Sequence, residues 1–431
     1  MTGREPPKQI GKYPVLRKLG EGATAEVYLC SDPFNSREVA IKVGTPEAFA
    51  DPDRGYAYKK LFLTEASLAG KLQHPHIVSI FDAVADETLH YIVMEYVGGG
   101  TLERFCKGEK LLAPEHIVEL VFKCTRALEY AHRLGITHRD IKPANILAPS
   151  EHDVKLTDFG TALIASSTTT QLGSVGSPAY MSPEQVRELP LDFRTDMYSI
   201  GVVMYHLLTG RLPFQAGNNF SLMYQIANAD PQPPSKLRPE VPPRLDAIVL
   251  RAMAKDREHR FKSWEEFSMQ LVNAFRAERA GARKQQSFSD SDRFETLRKL
   301  AFFADFSDAE LWEVARMAAW RNAAPGERLM KEGDPGDYFC ILAEGAVKVT
   351  KNGRLLNTLK AGESFGEMAY LSARAPVRGA DVTVDEEVNI ISVPSEKLAG
   401  ASDGCRHKFD RAFMQILVDR RAAANLRLSG V

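Results

Sequence analysis

The stretch "ITHRDIKPANILAPSEHDVKLTDFGTA", residues 136–162, decides how this chain is read. It places Asp140, Lys142 and Asn145 in one short loop, and after a β-like run it returns with Asp158, Phe159 and Gly160. A carboxylate followed by an amide and a second carboxylate supplies oxygen donors for a hard divalent cation and a base for an incoming hydroxyl, the set that phosphoryl transfer requires. A polar turn after a helix would account for either loop alone, but not for both in this order.

Working outward toward the N-terminus, "LGEGATAEVYLC", residues 19–30, sets Gly20 and Gly22 between two strand-like runs. Glycines there let backbone N–H groups approach phosphate oxygens that a Cβ would hold away. "VAIK", residues 39–42, ends a β-branched run on Lys42, and "LTEASLAG", residues 63–70, carries Glu65 on a helix-like segment. Apolar alternation makes residues 13–97 strand-rich, whereas residues 98–275 read mainly as helix, as in "PEHIVELVFKCTRALEYAHRLG".

The 431 residues predict two or three domains with their own cores. A hydrophobic content of 44%, a charged content of 26% and a formal net charge of −1 are ordinary globular values, and they argue against a nucleic-acid or anionic-membrane coat. No apolar run reaches membrane-spanning length, and the opening "MTGREPPKQIGKYP" lacks the apolar core of a signal peptide. The five cysteines (Cys30, Cys106, Cys124, Cys340 and Cys405) are scattered with no CxxC pair, which predicts buried thiols in a reducing, cytoplasmic setting.

Taken together, residues 13–275 resemble a eukaryotic-type (Hanks-type) Ser/Thr protein kinase, with an N-lobe at 13–97 and a C-lobe at 98–275, behind a polar tail at 1–12. The resemblance implies ATP and Mg2+, or Mn2+, and transfer of the γ-phosphoryl group to protein Ser or Thr hydroxyls. In its terms Leu19, Gly20, Gly22, Val27, Ala40 and Lys42 line the ATP site, and Lys42 pairs with Glu65. Met94 is the gatekeeper, and Glu95 and Val97 offer backbone groups to adenine. Asp140 is the base, with Lys142 beside it in the Ser/Thr form of the motif; Asn145 and Asp158 are metal ligands, followed by Phe159 and Gly160. "GSPAYMSPE" ends the activation segment with Ser177 near the substrate hydroxyl; Glu184 pairs with Arg260, and Asp196 steadies the catalytic loop. Two positions depart from the pattern: Ala25 stands at the third glycine of the loop, and "SPE" replaces the commoner APE.

Arg139 beside Asp140 predicts a regulatory phosphate, because an arginine there needs an anionic partner to order the loop. "ASSTTTQLGSVGS" offers Ser166, Ser167, Thr168, Thr169, Thr170 and Ser174, with Thr170 or a neighbour preferred. A homodimer would serve trans-autophosphorylation.

Past a polar linker at 276–292, glycines at 326, 333, 336, 345, 353, 362 and 366 separate short strand-like runs. That spacing predicts a small jelly roll with tight corners. With "FGEMAYLSARAPVRGADV", residues 365–382, the region 293–400 resembles a cyclic-nucleotide-binding domain, with 401–431 as a helical lid or tail. The resemblance makes Gly366, Glu367, Met368 and Ala369 the start of a phosphate-binding cassette. Glu367 would accept from the ribose 2′-OH, Arg378 would neutralise the phosphate of cyclic AMP or cyclic GMP, and Gly379 and Ala380 would offer amides. The Glu367-to-Arg378 interval is about two residues longer than in relatives, and Arg374 is the other candidate arginine.

The last helical run places Phe409, Phe413, Ile416 and Leu417 on one face, either as a lid over the base or as packing on the barrel. The fold expected is therefore α+β: a bilobal kinase followed by a jelly roll with flanking helices. The functional expectation is a kinase regulated by cyclic nucleotide. The alternatives are a constitutive kinase whose barrel recruits partners, and a nucleotide-binding scaffold without chemistry.

Overall fold

A computed structural model of the chain describes residues 6–22, 24–51, 55–85, 90–161, 163–164, 178–275, 289–371 and 377–428. The chain divides into two compact units, Met1–Gln285 and Gln286–Val431.

The first unit opens with a six-stranded antiparallel sheet in the spatial order Gln9–Ile10, Tyr13–Glu21, Ala25–Asp32, Arg37–Gly44, His90–Glu95, Ile80–Ala85. The period of two along Arg37–Gly44 sorts its side chains. Val39 and Ile41 join Tyr13, Tyr28, Tyr91 and Val93 on one face, while Ala40 joins Phe62, Val78, Ile92 and Met94 on the other. Lys42 has the parity of Ala40, so it projects toward the helix Gly55–Ala66, which carries Phe62 and Glu65. That helix stops at Ala66, short of the sequence expectation, and turns follow it.

The helical half is built around Arg194–Thr209, which is buried continuously from Thr195 to Leu208. Its Gly201 explains how tightly it packs: a Cβ there would lie 2.9 Å from Ala252 Cβ and 3.1 Å from Met253 Cγ. Gly210, at φ +70 in the left-handed region, ends the helix. Pro114–Arg133 starts on a proline, where a missing N–H is harmless. The Ser that departs from the APE pattern has a local role: Ser182 caps Pro183–Val186, its hydroxyl accepting the Gln185 N–H while Gln185 answers the Ser182 N–H.

The second unit begins with the helix Asp290–Lys299, capped by Ser289 inside the stretch read as linker. The sequence of residues 294–320 reads as one helical run, but it is broken here, because Ser307 and Glu310 form a capping box that starts Asp308–Met317 anew. Two four-stranded antiparallel sheets follow, ordered Ala319–Ala323, Val388–Pro394, Tyr338–Glu344, Ser364–Phe365 and Arg328–Met330, Asp381–Val384, Ala346–Lys351, Arg354–Lys360. Leu329, Met330, Cys340, Leu342, Val347, Leu359, Phe365, Val382 and Ile390 fill the space between them. This is a jelly-roll-like barrel with helices at both ends of its sequence.

In the terminal helix Asp403–Leu428, the packing alternative describes Phe409 and Phe413. Phe409 and Phe413 are fully buried in an aromatic cluster with Phe302, Phe303, Phe306, Phe339 and Tyr370, at ring-centroid distances of 4.9–6.1 Å, and so do not face a base. Packing wins because each ring buries a large apolar area against others. Ile416 and Leu417 are half-buried, and Met414 and Val418 on the same helix stay exposed.

Candidate active site and ligand pocket

The geometry of the first unit converges on Lys42. Its Nζ donates to Glu65 Oε2 at 2.7 Å and to Asp158 Oδ1 at 2.8 Å, bringing together a strand, a helix and a loop. Burial pushes the Lys42 ammonium down, but the Asp158 and Glu65 carboxylates more than reverse this and hold it raised. Lys42 in turn holds the Asp158 carboxyl below the usual carboxylate range. Glu65, 3% exposed, is pushed up by burial despite its partner. A Cβ at Gly160 would sit 3.5 Å from both carboxylates, an ordinary van der Waals contact.

Asp140 lies in a second cluster. Lys142 Nζ donates to its Oδ2 at 2.7 Å, and Asn145 Nδ2 donates to the same oxygen at 3.0 Å and to the Asp140 carbonyl at 2.9 Å. Two residues of these loops hold left-handed backbone, Arg139 at φ 71 and Asp158 at φ 65. Asp196, 2% exposed, answers the first: its two carboxylate oxygens accept the N–H groups of His138 and Arg139, each at 2.7 Å. Gln185 donates to the Arg139 carbonyl at 2.8 Å, and His138 Nε2 meets the Thr157 carbonyl at 3.0 Å, tying this loop to the one that carries Asp158. Gln185 and His138 had no sequence signal beyond their place in the motifs.

The donor set suits Mg2+. Asn145 commits its amide nitrogen to Asp140, so its amide oxygen is the atom left for a cation, and Asp158 has a second carboxylate oxygen beyond the one that faces Lys42. Two hard oxygen ligands are what Mg2+ commonly takes from protein when phosphates complete its shell.

Leu19, Val27, Ala40, Met94 and Val97 belong to one apolar cluster on the inner face of the sheet. Leu147, two residues after Asn145, joins it and was not singled out from sequence; its signal was the apolar pair Ile146-Leu147 directly after the amide. Gly22 closes the glycine-rich hairpin through an N–H to the Ala25 carbonyl at 2.8 Å, and the Ala25 methyl is accommodated in the strand opposite Gly44. The Glu95 carboxylate pairs with Lys155 at 2.9 Å.

Behind these clusters, Arg260 donates twice to Glu184, at 2.7 and 2.8 Å, and Thr195 adds a third bond to the same carboxylate at 2.9 Å. Arg139 Nε is buried with no hydrogen-bond partner among the described residues. Ser166, Ser167, Thr168, Thr169, Thr170, Ser174 and Ser177 lie outside the described residues, as does Arg374.

In the second unit Arg378 and Glu367 meet at Gly366. Arg378, 5% exposed, donates through Nη1 to the Gly366 carbonyl at 3.2 Å and lies over the Tyr338 ring at 4.5 Å. Glu367 is 1% exposed. Arg378 Nη2 and Glu367 Oε2 are both buried without a hydrogen-bond partner among the described residues. Gly366 is the one residue that fits between, at φ +82 with Arg378 Nη1 2.7 Å from where a Cβ would stand. The longer interval therefore still brings Arg378 to the cassette. Met368 is exposed, and Gly379 and Ala380 follow Arg378 at the surface. Arg420, from the terminal helix, reaches Glu367 Oε1 at 2.5 Å; nothing local in the sequence marks it.

Among the described residues no helix is long and apolar enough to cross a membrane. All five cysteines are buried and unpaired, and burial pushes their thiols up to about 11 or 12.

Comparison with known proteins agrees with this geometry. The family model for the protein kinase domain matches residues 13–272, and that for the cyclic nucleotide-binding domain matches residues 320–403. A Streptomyces coelicolor protein named as a probable serine/threonine-protein kinase is 38% identical over 286 residues, 64% of this chain and 42% of its own length. The serine/threonine-protein kinase PrkC of Bacillus subtilis is 38% identical over 276 residues, again 64% of this chain and 42% of the relative. PknB of Mycobacterium leprae is 39% identical over 295 residues, 67% of this chain and 46% of the relative. The chain thus spans less than half the length of these relatives. With the family model matched over more than half of its residues, the chain belongs to the protein kinase family and carries a cyclic nucleotide-binding domain in its C-terminal part.

Proposed function

We propose that this chain is a Ser/Thr protein kinase that transfers the γ-phosphoryl group of ATP to protein hydroxyls, and that a cyclic nucleotide bound to its C-terminal domain sets its activity. The observation that carries the first part is the single cluster formed by Lys42, Glu65 and Asp158, far apart in sequence and within 2.8 Å of one another through the ammonium. Lys42, fixed by Glu65, is placed to bind the α- and β-phosphates while adenine enters the apolar slot of Leu19, Val27, Ala40, Met94, Val97 and Leu147. Lys142 and Asn145 converge on Asp140 Oδ2, which leaves Oδ1 to accept the hydrogen bond of an incoming Ser or Thr hydroxyl and to orient its oxygen. Mg2+ held by Asn145 and Asp158 would neutralise charge on the transferred group. Arg139 Nε, buried and without a partner among the described residues, suits a phosphate on the segment 165–177.

The second part rests on Arg378, which donates to the Gly366 carbonyl, and on Glu367, next in the chain: Arg378 Nη2 and Glu367 Oε2 are each buried without a partner among the described residues. A cyclic phosphate and a ribose hydroxyl supply both. A coupling of about 1–3 kcal/mol between the two domains would suffice for control. The test is labelling by radioactive ATP, with and without saturating cyclic AMP or cyclic GMP. Wild-type chain labels itself or added protein, and Lys42→Met and Asp140→Asn lose roughly 100-fold or more of that rate. Absence of labelling in wild type refutes the kinase reading. A rate unmoved by both nucleotides refutes the regulatory one alone.

A further inference from the structure

The glycine-rich hairpin is joined to its sheet unevenly. Along Tyr13–Glu21 the outer neighbour Gln9–Ile10 pairs only with Tyr13 and Pro14, so from Arg17 to Glu21 this strand is an edge whose one strand partner among the described residues is Ala25–Asp32. The returning strand is better secured. Ala25–Asp32 pairs along its whole length with Arg37–Gly44, and the Thr45 N–H donates to the Thr24 carbonyl at 3.0 Å. The glycine-bearing side therefore depends on what ties it across the hairpin.

A register shift between Lys18 and Gly20 decides what that tie is. Lys18 opposes Tyr28, Gly20 opposes Val27 and Glu21 opposes Glu26, which leaves Leu19 as an extra residue. The bulge turns Leu19 to the inner face, where with Val27 it joins the apolar slot, and it sets Lys18 and Glu21 on the face of Glu26 and Tyr28. Glu21 and Glu26 then stand directly opposite each other, an arrangement in which like charges are unfavourable. Lys18 bridges them: its Nζ donates to Glu21 Oε2 at 2.7 Å and to Glu26 Oε1 at 2.6 Å. The second oxygen of Glu26 accepts the Tyr28 hydroxyl at 2.7 Å, and the Tyr28 ring is buried with Tyr13 and Tyr91. One ammonium thus fastens the exposed glycine-bearing edge to a carboxylate anchored on the core of the sheet. We propose that Lys18 is a positioning residue of the ATP site: by bridging Glu21 and Glu26 it holds the glycine-rich strand in register over the triphosphate, and without it the two carboxylates part the hairpin at its tip. This inference rests on the kinase reading above. A single exposed ion pair contributes little, but here three charges and a buried phenol form one network at an edge.

The experiment uses the full chain with Mg2+ present. Calorimetry gives Kd for ATP, and initial rates of phosphate transfer give KM and kcat, on wild type, Lys18→Met, Lys18→Arg, Glu21→Gln and Lys18→Met/Glu21→Gln. Hydrogen exchange follows residues 17–28, with Arg37–Gly44 as the control for the sheet. Methionine keeps an unbranched stem without the charge. Lys18→Met should weaken ATP binding and raise KM roughly three- to tenfold, the range of one or two exposed charge pairs, with kcat changed less. Residues 17–22 should exchange faster in it while Arg37–Gly44 stays protected. Lys18→Arg, which keeps the charge, and Glu21→Gln should both stay near wild type. The double variant, in which a neutral amide faces Glu26, should recover most of what Lys18→Met loses. Lys18→Met with unaltered Kd and KM overturns the inference. So does a loss that Glu21→Gln fails to recover, since that loss comes from the lysine stem and not from the opposed charges, and so does a Lys18→Met chain in which Arg37–Gly44 loses protection as well. Wild type that binds ATP and transfers no phosphate overturns the kinase reading, and the affinities then decide on Lys18. Wild type that binds no ATP overturns both.

Discussion

Asp196→Asn tests whether the active geometry of the loop around Asp140 is maintained by one buried carboxylate. Each oxygen of Asp196 accepts a backbone N–H at 2.7 Å, from His138 and from Arg139. An amide keeps one acceptor and turns an NH2 toward the other N–H, so one charge-assisted bond is lost, about 1.5–3 kcal/mol. The same change loosens the restraint on Arg139, whose φ of 71 is a conformation that costs a residue with a side chain about 1–2 kcal/mol. Relaxation therefore runs toward an ordinary backbone angle and pulls on Asp140, opposed by the Gln185 bond to the Arg139 carbonyl, the His138 contact to Thr157 and the Asn145 bonds to Asp140.

At 1.36 kcal/mol per decade, the lost bond alone lowers the population of the competent loop roughly 10- to 150-fold, and kcat should fall by that factor. KM for ATP should move less, because Lys42, Glu65 and Asp158 are held by one another. Initial rates of phosphate transfer to a protein substrate measure both constants, and thermal unfolding, expected to shift down by roughly 3–12 °C, reports the fold. A variant that stays folded at the assay temperature with an unchanged kcat refutes the clamp.

The Glu184–Arg260 pair gives a stability test with a pH signature. Arg260→Met alone should cost about 3–5 kcal/mol in urea unfolding, because Glu184 is left buried without its cation, whereas the double variant Glu184→Leu/Arg260→Met should recover most of it. Burial pushes the Glu184 carboxyl up, and the Arg260 hydrogen bonds and charge outweigh this and hold it below its ordinary range. In wild type the pair's contribution is thus present above the ordinary carboxylate pKa and is lost as pH falls through the depressed value. In Arg260→Met the sign reverses, and lowering pH from 7 toward 4 should narrow its deficit relative to wild type. Phe413→Ala should destabilise the second unit by about 3–5 kcal/mol; an unfolding transition of residues 286–431 left in place would show that the aromatic cluster does not hold the terminal helix. The thiols should be inert in the native state: a disulfide reagent at pH 8 should modify few of the five cysteines in native chain and all of them in denaturant, since the thiolate is the reactive form and each thiol is buried.

Much of the site was legible because its parts are local. Asp140, Lys142 and Asn145 share one loop, so their spacing alone brings them together, and strand parity alone puts Lys42 on the face of Ala40. Hydrophobic alternation and glycine spacing likewise announced a strand-rich start, a helical middle and a barrel. The element boundaries were less legible: the capping box at Ser307 and Glu310 overrides a helical pattern that runs through it, and Ser289 starts a helix inside a polar stretch.

What the tertiary structure alone decided is which distant groups share a partner. Phe409 and Phe413 have the same amphipathic pattern whether they cover a ligand or pack on Phe302 and Phe339, and only the assembled barrel shows the second. Arg420 is one arginine among several on an exposed-looking helix end, yet it lies 2.5 Å from a glutamate 53 residues earlier. Local preferences are set by φ, ψ and side-chain period, which a short window of sequence contains. A bond across tens of residues depends on the summed path of every element between, and no window contains that.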